Sequence, residues 1–413
     1  MSLVAERIAT SLTAAAPPLR AIGVSKTYRT PDHIGRLVLE NIDFTLHEGE
    51  IVAILGKSGA GKSTFLRILA GLLPPSLGHV EYRGQPVTGP VRGIAMVFQS
   101  FALFPWLTVL GNVELGLEAQ GVSAAERRRR AVEAIDVIGL DGFENAYPKE
   151  LSGGMQQRVS FARALVVNPD ILVLDEAFSQ LDVLTAETLR NDLLDLWLER
   201  RIPTKAILMV SHNIEEAVDM ADRILIFSSD PGRLSAEVPV RLPHPRSPDN
   251  PAFRQIVDQV YTLLTTVPGR DGRRGVKPEP IGVGYRLPDA PVQQLSAIVE
   301  KLSEEPYNGR ADLPHLADEE NLTTDELLPL LELLQLLGLA HVSGGDIELT
   351  AAGRRYADAD MLSRKQIFAE ALLKNVPLAV HIRRVLDTVI NWGRHAEIFA
   401  YDDDDRVLSL ENF

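Results

Sequence analysis

The sequence predicts an α/β domain built on a largely parallel sheet, followed by a smaller, mainly helical domain. Three observations carry this. Short, nearly continuous apolar runs, IVAIL (51–55), IAMVF (94–98), ILVLD (171–175), AILMV (206–210) and ILIF (224–227), alternate with helical patterns, the mark of strands covered on both faces. A glycine-rich octapeptide follows the first of these runs. From about residue 291 the strands give way to helices, and the charge balance changes with them.

The 413 residues suffice for two or three domains at roughly 100–200 residues each. With 45% hydrophobic and 24% charged residues the chain is globular, which excludes disordered and fibrous classes. Absence of cysteine excludes disulfides, thiolate metal sites, iron–sulfur clusters and thiol catalysis. No apolar run reaches the roughly 18–20 residues of a membrane span; the most leucine-rich, 327–342, is interrupted by Pro329, Glu332, Gln335 and Gly338. Residues 1–18 lack a charged and then apolar leader and read as a flexible tail, so a cytoplasmic chain is expected.

The first domain is expected over 19–265. Within it Ser123-Ala-Ala-Glu126 reads as a capping box that opens a helix running to Ile138, with Gly139 placed to end it. The arginine run 127–130 lies early in that helix, as a solvated stretch or a lipid-headgroup contact. A further helix is expected over 251–264, then a linker, rich in Pro, Gly and Arg, over 266–290. The second domain, 291–413, reads as helices over 292–302, 311–320 and 325–337, short strands over 339–342 and 346–350 around Ser343-Gly344-Gly345, and a helix from Ala351. This is a winged-helix-like order. Asp402 to Asp405 reads as a solvated tail, with cation binding as the alternative. Residues 1–280 hold 30 Lys+Arg and 33 Asp+Glu, whereas 281–413 hold 12 and 23, so the acidity belongs to the last third.

Gly56-Lys57-Ser58-Gly59-Ala60-Gly61-Lys62-Ser63 satisfies the P-loop pattern, in the context it requires, after a strand and opening a helix. Its backbone N–H groups are placed to converge on α- and β-phosphates, Lys62 to reach the β- and γ-phosphates and Ser63 to bind Mg²⁺. The strand 171–175 delivers two carboxylates at its C-terminal end: Asp175, suited to the Mg²⁺ hydration shell, and Glu176, suited to take a proton from the attacking water.

Leu151-Ser152-Gly153-Gly154-Met155-Gln156-Gln157-Arg158 resembles the signature of the ABC (ATP-binding cassette) ATPases. The resemblance extends over roughly 19–265, in the family's order: Gln99 looks like its Q-loop residue, Asp182 in Ser179-Gln-Leu-Asp182 like its D-loop, His212 like its switch histidine and Tyr28 like the aromatic on which adenine stacks. It implies a cassette with a mixed-sheet core and a helical subdomain. It implies ATP held by Tyr28, Gly56, Lys57, Ser58, Gly59, Ala60, Gly61, Lys62, Ser63 and Thr64, and Mg²⁺ held by Ser63, Gln99 and Asp175. Catalysis falls to Glu176, His212, Gln99 and Lys62. Ser152, Gly153, Gly154 and Gln156 would meet ATP of the opposite subunit, so a chain with one P-loop and one signature needs a second cassette, a homodimer being expected. Gln180 stands where the family has a small residue, which leaves the D-loop's cross-dimer contacts open.

The aromatic segment 101–109, beside Gln99, reads as core, as the family's groove for a permease helix, or as both. Lack of a fused permease, a second cassette or an inserted coiled coil points to a stand-alone subunit on the cytoplasmic face of the inner membrane, working with permease subunits and indirectly with a substrate-binding protein. FPWLTVLGNV, SSDPGRLSAEVPVRLPHPR and the extra region 285–413, which looks like an AAA-associated C-terminal domain, most resemble the nitrate/sulfonate/bicarbonate importers. The resemblance implies uptake of nitrate, a sulfonate such as taurine, bicarbonate or a similar small anion. A non-transport regulatory ATPase is the alternative. The candidate recognition helix, 324–337, carries three carboxylates and no Lys or Arg, which opposes nucleic-acid binding. Its leucines at 327, 328, 331, 334 and 337 suggest a face for its own domain or for a protein partner.

Overall fold

The structure, a computed structural model, describes residues 16–29, 35–229, 231–265, 287, 288, 290–320, 322–395, 400–402 and 407–409. Most of the expected tail 1–18, most of the expected linker 266–290, and Asp403 to Asp405 lie outside them. The chain forms two compact units, Met1–Leu264 and Thr265–Phe413.

In the first unit β1 (Leu19–Arg29) and β2 (Gly35–Leu46) pair antiparallel, with Leu19 opposite Leu46 and Tyr28 opposite Arg36. β3 (Ile51–Gly56) then leads into α1 (Lys62–Leu69), followed by β4 (Leu77–Tyr82), β5 (Gln85–Pro86) and β6 (Ile94–Val97). Three helices come next: α2 (Val109–Ala119), α3 (Ala124–Val137) and α4 (Gly153–Leu165), which pack on one another. The rest is β7 (Ile171–Asp175), α5 (Val183–Leu198), β8 (Ala206–Val210), α6 (Ile214–Met220), β9 (Arg223–Ser228), β10 (Arg233–Pro239) and α7 (Pro251–Thr265).

Two sheets result. One has the order β10-β9-β3-β8-β7-β6, parallel except for the edge strand β10; the other is antiparallel, β2-β1-β4-β5. Every residue of β3, β7 and β8 is buried, as strands covered on both faces must be. β2 instead alternates buried and exposed positions, which is why the antiparallel sheet escapes a search for continuous apolar runs. α1 packs between the sheets: the ring of Phe65, fully buried, lies 6.0 Å from that of Phe44 on β2 and 5.5 Å from that of Phe227 on β9.

The capping box expected at Ser123 does not form. Ser123 is the N-cap of α3 but makes no side-chain cap bond, and Glu126 turns to Arg129, with contacts of 3.0 and 2.7 Å. A bidentate, charge-assisted pair is stronger than a neutral cap. The neighbouring arginines fasten the helices together: Arg127 donates to the Val122 carbonyl at 3.3 Å and Arg130 to the Val166 carbonyl at 2.7 Å.

The second unit runs α8 (Val292–Ser303), β11 (Arg310–Asp312), α9 (Leu313–Glu319), α10 (Thr324–Leu336), β12 (Ala340–Ser343), β13 (Asp346–Leu349), α11 (Ala351–Asp358), α12 (Met361–Asn375), α13 (Pro377–His395), β14 (Ala400–Asp402) and β15 (Val407–Ser409). The stretch 311–320 therefore begins as a strand, not a helix. β11 pairs with β13, and Asp312 then caps α9 by accepting from the His315 N–H at 3.2 Å. Gly344 and Gly345, at φ 63° and 87°, make the two-residue turn between β12 and β13 that only positive φ allows. A capping box does form here, with Glu326 accepting from the Thr323 N–H at 2.9 Å to open α10. The five expected leucines of α10 are buried, together with Leu330 and Leu333, and the helix packs against α8 and β12.

Candidate functional site

β3 is the pivot of the site. Flanked by β9 and β8, it ends at Gly56, where a Cβ would come within 2.7 Å of the Phe227 carbonyl oxygen, so the chain can leave the sheet there only as glycine. Gly61 precedes α1 at φ 87°, with Leu39 a mere 2.6 Å from where its Cβ would sit. Between them the loop turns its backbone toward the N-terminus of α1. The Lys62 ammonium spans this loop, donating to the Gly56 carbonyl at 2.6 Å and the Lys57 carbonyl at 3.2 Å.

The next residue reaches across to β7. Ser63 Oγ donates to Asp175 Oδ1 at 2.7 Å, joining positions 112 apart in sequence. Serine hydroxyl and aspartate are hard oxygen donors of the kind that suits Mg²⁺, and the amide oxygen of Gln99 is a donor of the same kind. Glu176 follows in a left-handed backbone conformation, φ 52°, with its N–H on the Val210 carbonyl at 3.1 Å. That register sets β7 beside β8, and His212 leaves the end of β8. A carboxylate oxygen of Glu176 and a ring nitrogen of His212 come within 4.8 Å of each other. Ser179 ties in Gln99: its hydroxyl donates to the Glu176 carbonyl at 2.9 Å and accepts from Gln99 Nε2 at 3.3 Å.

The signature residues head a different helix. Ser152 is the N-cap of α4, its hydroxyl accepting from the Met155 N–H at 3.3 Å, and Ser152 and Gly153 are exposed. Gly154 lies where a Cβ would meet the Thr185 methyl at 2.4 Å. The Gln156 amide turns back onto the carbonyls of Pro148 (3.0 Å) and Leu151 (3.2 Å), so the end of α4 is presented by Ser152, Gly153 and Gly154. Asp182 caps α5 by accepting from the Thr185 N–H at 3.0 Å, and hydrogen bonds from Thr185 hold its carboxyl below the ordinary range. Tyr28 sits near the end of β1, 41% exposed, with Lys26 Nζ 5.3 Å from its ring centre.

Several further residues position this site, and of these Gln157 lies within the signature motif and Asn112 within FPWLTVLGNV. Gln157, wholly buried on α4, donates to the Ala177 carbonyl just beyond Glu176. Arg163, also on α4, donates to the carbonyls of Phe101 (2.9 Å) and Ala102, two residues held at φ 54° and 50° directly behind Gln99. Asn112 is fully buried: its Oδ1 accepts from the Phe104 N–H at 2.8 Å, and its Nδ2 faces the carbonyls of Phe104, Leu107 and Thr108 at 3.0–3.1 Å. The loop so gripped leaves Phe104 and Trp106 exposed, ring centres 5.4 Å apart. Arg190 on α5 pairs with buried Glu216 on α6 at 3.3 Å. Burial pushes the Glu216 carboxyl up, against the pull of Arg190, Ser211 and His212. A polar residue at an apolar helical position is the one sequence signal these groups share.

The sequence profile described as "ABC transporter" matches residues 39–179, and that described as "C-terminal AAA-associated domain" matches 314–389. The chain is 44% identical over 237 residues to the nitrate import ATP-binding protein NrtD of Synechocystis, covering 55% of this chain and 88% of that one. The chain belongs to the ABC transporter family of ATP-binding proteins. It is also 40% identical to the aliphatic sulfonates import ATP-binding protein SsuB of Bacillus cereus, over 54% of this chain and 86% of that one. An ATP-binding cassette solved as a dimer with ADP and phosphate is 35% identical, covering 54% of this chain and 99% of that one, with a TM-score of 0.49. As an ABC ATPase the chain binds and hydrolyses ATP. Its first unit is the cassette, with a mixed sheet and a helical block, and its second is mainly helical.

Proposed function

We propose that this cassette energises a separate membrane permease for uptake of a small anion, closing on ATP with a second copy of itself and resetting after hydrolysis. The observation that carries the reading is the placement of Ser63, Asp175, Glu176, His212 and Gln99 at or beyond the C-terminal ends of β3, β7, β8 and β6, joined by the Ser63–Asp175 and Gln99–Ser179 hydrogen bonds and the approach of Glu176 to His212. Lys62 and the loop 56–64 hold the phosphates of ATP, and Tyr28 takes the adenine. Ser63, Asp175 and Gln99 would hold Mg²⁺, which would supply charge neutralisation for the nucleotide's phosphates. Glu176 accepts the proton of the attacking water, and His212 contacts the γ-phosphate and orients that water.

The exposed end of α4, a set of N–H donors with a positive helix terminus, completes the site of a partner cassette. Phe104 and Trp106, exposed beside Gln99, take the permease helix and couple the nucleotide site to it. The chain then acts at the cytoplasmic face of the membrane through that permease, and a substrate-binding protein serves the permease. Relatives named for nitrate and aliphatic sulfonates support an anionic substrate of that kind. We read the boundaries as cassette over 19–265 and, over 291–413, a winged-helix-like domain that serves protein contacts.

Glu176→Gln tests the catalytic assignment. Nucleotide binding is expected to persist while turnover falls by about 10²–10⁴ and an ATP-bound dimer accumulates on gel filtration. Near-normal hydrolysis by that variant overturns the assignment. A pull-down from solubilised membranes tests coupling: recovery of a permease is expected, and recovery of soluble proteins alone refutes it.

A further inference from the structure

α12 and α13 stand apart from the other helices of their unit. None of the 15 side chains of α12 is buried, and on α13 residues 381–386 are exposed without a break. Met361 and Leu362 are each 78% exposed, Ile382 56%, Leu386 51% and Val385 47%. Spacings of three and four residues put Ile382, Val385 and Leu386 on one face of α13, and Leu378 continues that face one turn earlier. Arg383 and Arg384 fall off it, toward the polar side.

The charge of this helix pair is opposite to that of the chain around it. Residues 291–360 carry 4 Lys+Arg against 14 Asp+Glu, net −10, while residues 361–395 carry 6 against 2, net +4. Arg364 is bound to Glu300 and to the carbonyls of Tyr356 and Ala357, and Lys365, Lys374, Arg383 and Arg384 are the other cationic residues of 361–386.

Helices in water are stabilised chiefly by burying an apolar face, and this pair has little of its own to bury against. An apolar stripe with cationic residues on the other face is the make-up of a helix that lies in a membrane surface. α13 has the length for it, 19 residues, and among the described residues no helix is long and apolar enough to cross a bilayer. Pairing with a second copy through the same face would bring Lys374, Arg383 and Arg384 against their own kind, with Glu370 and Asp387 as the two carboxylates of 361–395 against six cations. An anionic lipid surface meets both the apolar stripe and the charge.

We propose that α12 and α13 form a membrane-surface contact, in which Ile382, Val385 and Leu386 enter the headgroup boundary of anionic lipid and the neighbouring Lys and Arg face its charge. The contact needs no permease, so it can fail without touching the ATPase reading.

Co-sedimentation of the full-length protein with vesicles tests it. Binding to phosphatidylcholine vesicles doped with phosphatidylglycerol is expected to exceed binding to phosphatidylcholine alone by about tenfold and to weaken in high salt. The double variants Ile382→Asp/Leu386→Asp and Arg383→Glu/Arg384→Glu each lose about tenfold or more of it, with ATP hydrolysis in solution unchanged. Equal binding to both vesicle types, no binding, or binding that survives both double variants overturns the proposal. Conversion of a dimer to a monomer by these variants, with no vesicle binding by the parent, assigns the face to a second copy and overturns it equally.

Discussion

In the cassette, β3, β7 and β8 bury every residue, whereas α12 of the second unit buries none of its 15 side chains. The difference separates two kinds of function. The chemistry we propose for Ser63, Asp175, Glu176 and His212 needs them held to fractions of an ångström, and they sit at the ends of strands that cannot move without opening a dry core. The membrane-surface contact we propose, which has to form and release, falls on helices that their own unit leaves largely uncovered. The cassette should therefore respond sharply to single substitutions, and the second unit to changes in its surroundings.

Lys62→Met is the strongest test of the rigid half. Removing the ammonium that spans the loop at 2.6 and 3.2 Å should weaken ATP binding by about a hundredfold or more in a calorimetric titration. A variant that still binds at parental affinity would show that the loop's N–H groups suffice.

Next in size comes the Arg190–Glu216 pair. Arg190→Met leaves a buried carboxylate without its cation and should destabilise the cassette by about 3 kcal/mol in urea unfolding at neutral pH. Its pH dependence has a definite sign. Burial already raises the folded pKa of Glu216, so the stability tied to its proton is fully present below the unfolded value of about 4.3 and is lost as pH rises through the folded one. Without Arg190 the rise is larger, and the variant should lose more stability than the parent as pH rises above that unfolded value; Glu216→Gln removes that slope. Identical pH profiles for parent and Arg190→Met contradict this account.

Asn112→Ala should have a smaller effect, about 2 kcal/mol in the same assay, because the Phe104 N–H and the carbonyls around it can partly recruit water. A loss below about 0.5 kcal/mol would mean that the loop carrying Phe104 and Trp106 is held by something else.

The least effect is expected from deleting 281–413. The cassette should keep its fold and its affinity for ATP, within about 0.5 kcal/mol. Loss of nucleotide binding in that truncation would erase the contrast between the two units.

How far the sequence shows these features follows from burial. Strands covered on both faces read as continuous apolar runs, so IVAIL (51–55), ILVLD (171–175) and AILMV (206–210) appear in the structure almost to the residue. β1 and β2 lie in a sheet that alternates, and they are missed by the same criterion. Glu126 shows the limit of local pattern: it has the spacing of a capping box at Ser123, yet Arg129 three residues on offers it a stronger partner. The Thr323 and Glu326 pair, with no arginine nearby in sequence, does form its box.

The sequence by itself determined the residues on which the proposed chemistry rests: glycines where backbone would approach phosphate, a lysine and a serine at the start of α1, two carboxylates at the end of β7 and a histidine after β8. Those residue types at those spacings serve few other purposes, because phosphate binding and water activation constrain them locally. Tertiary structure alone decided which distant groups hold that chemistry in place. The bond from Ser63 to Asp175, the approach of Glu176 to His212, the grip of Asn112 on the Phe104 loop and the Arg190–Glu216 pair join separate elements, and neither composition nor periodicity encodes which polar group a buried polar group will meet.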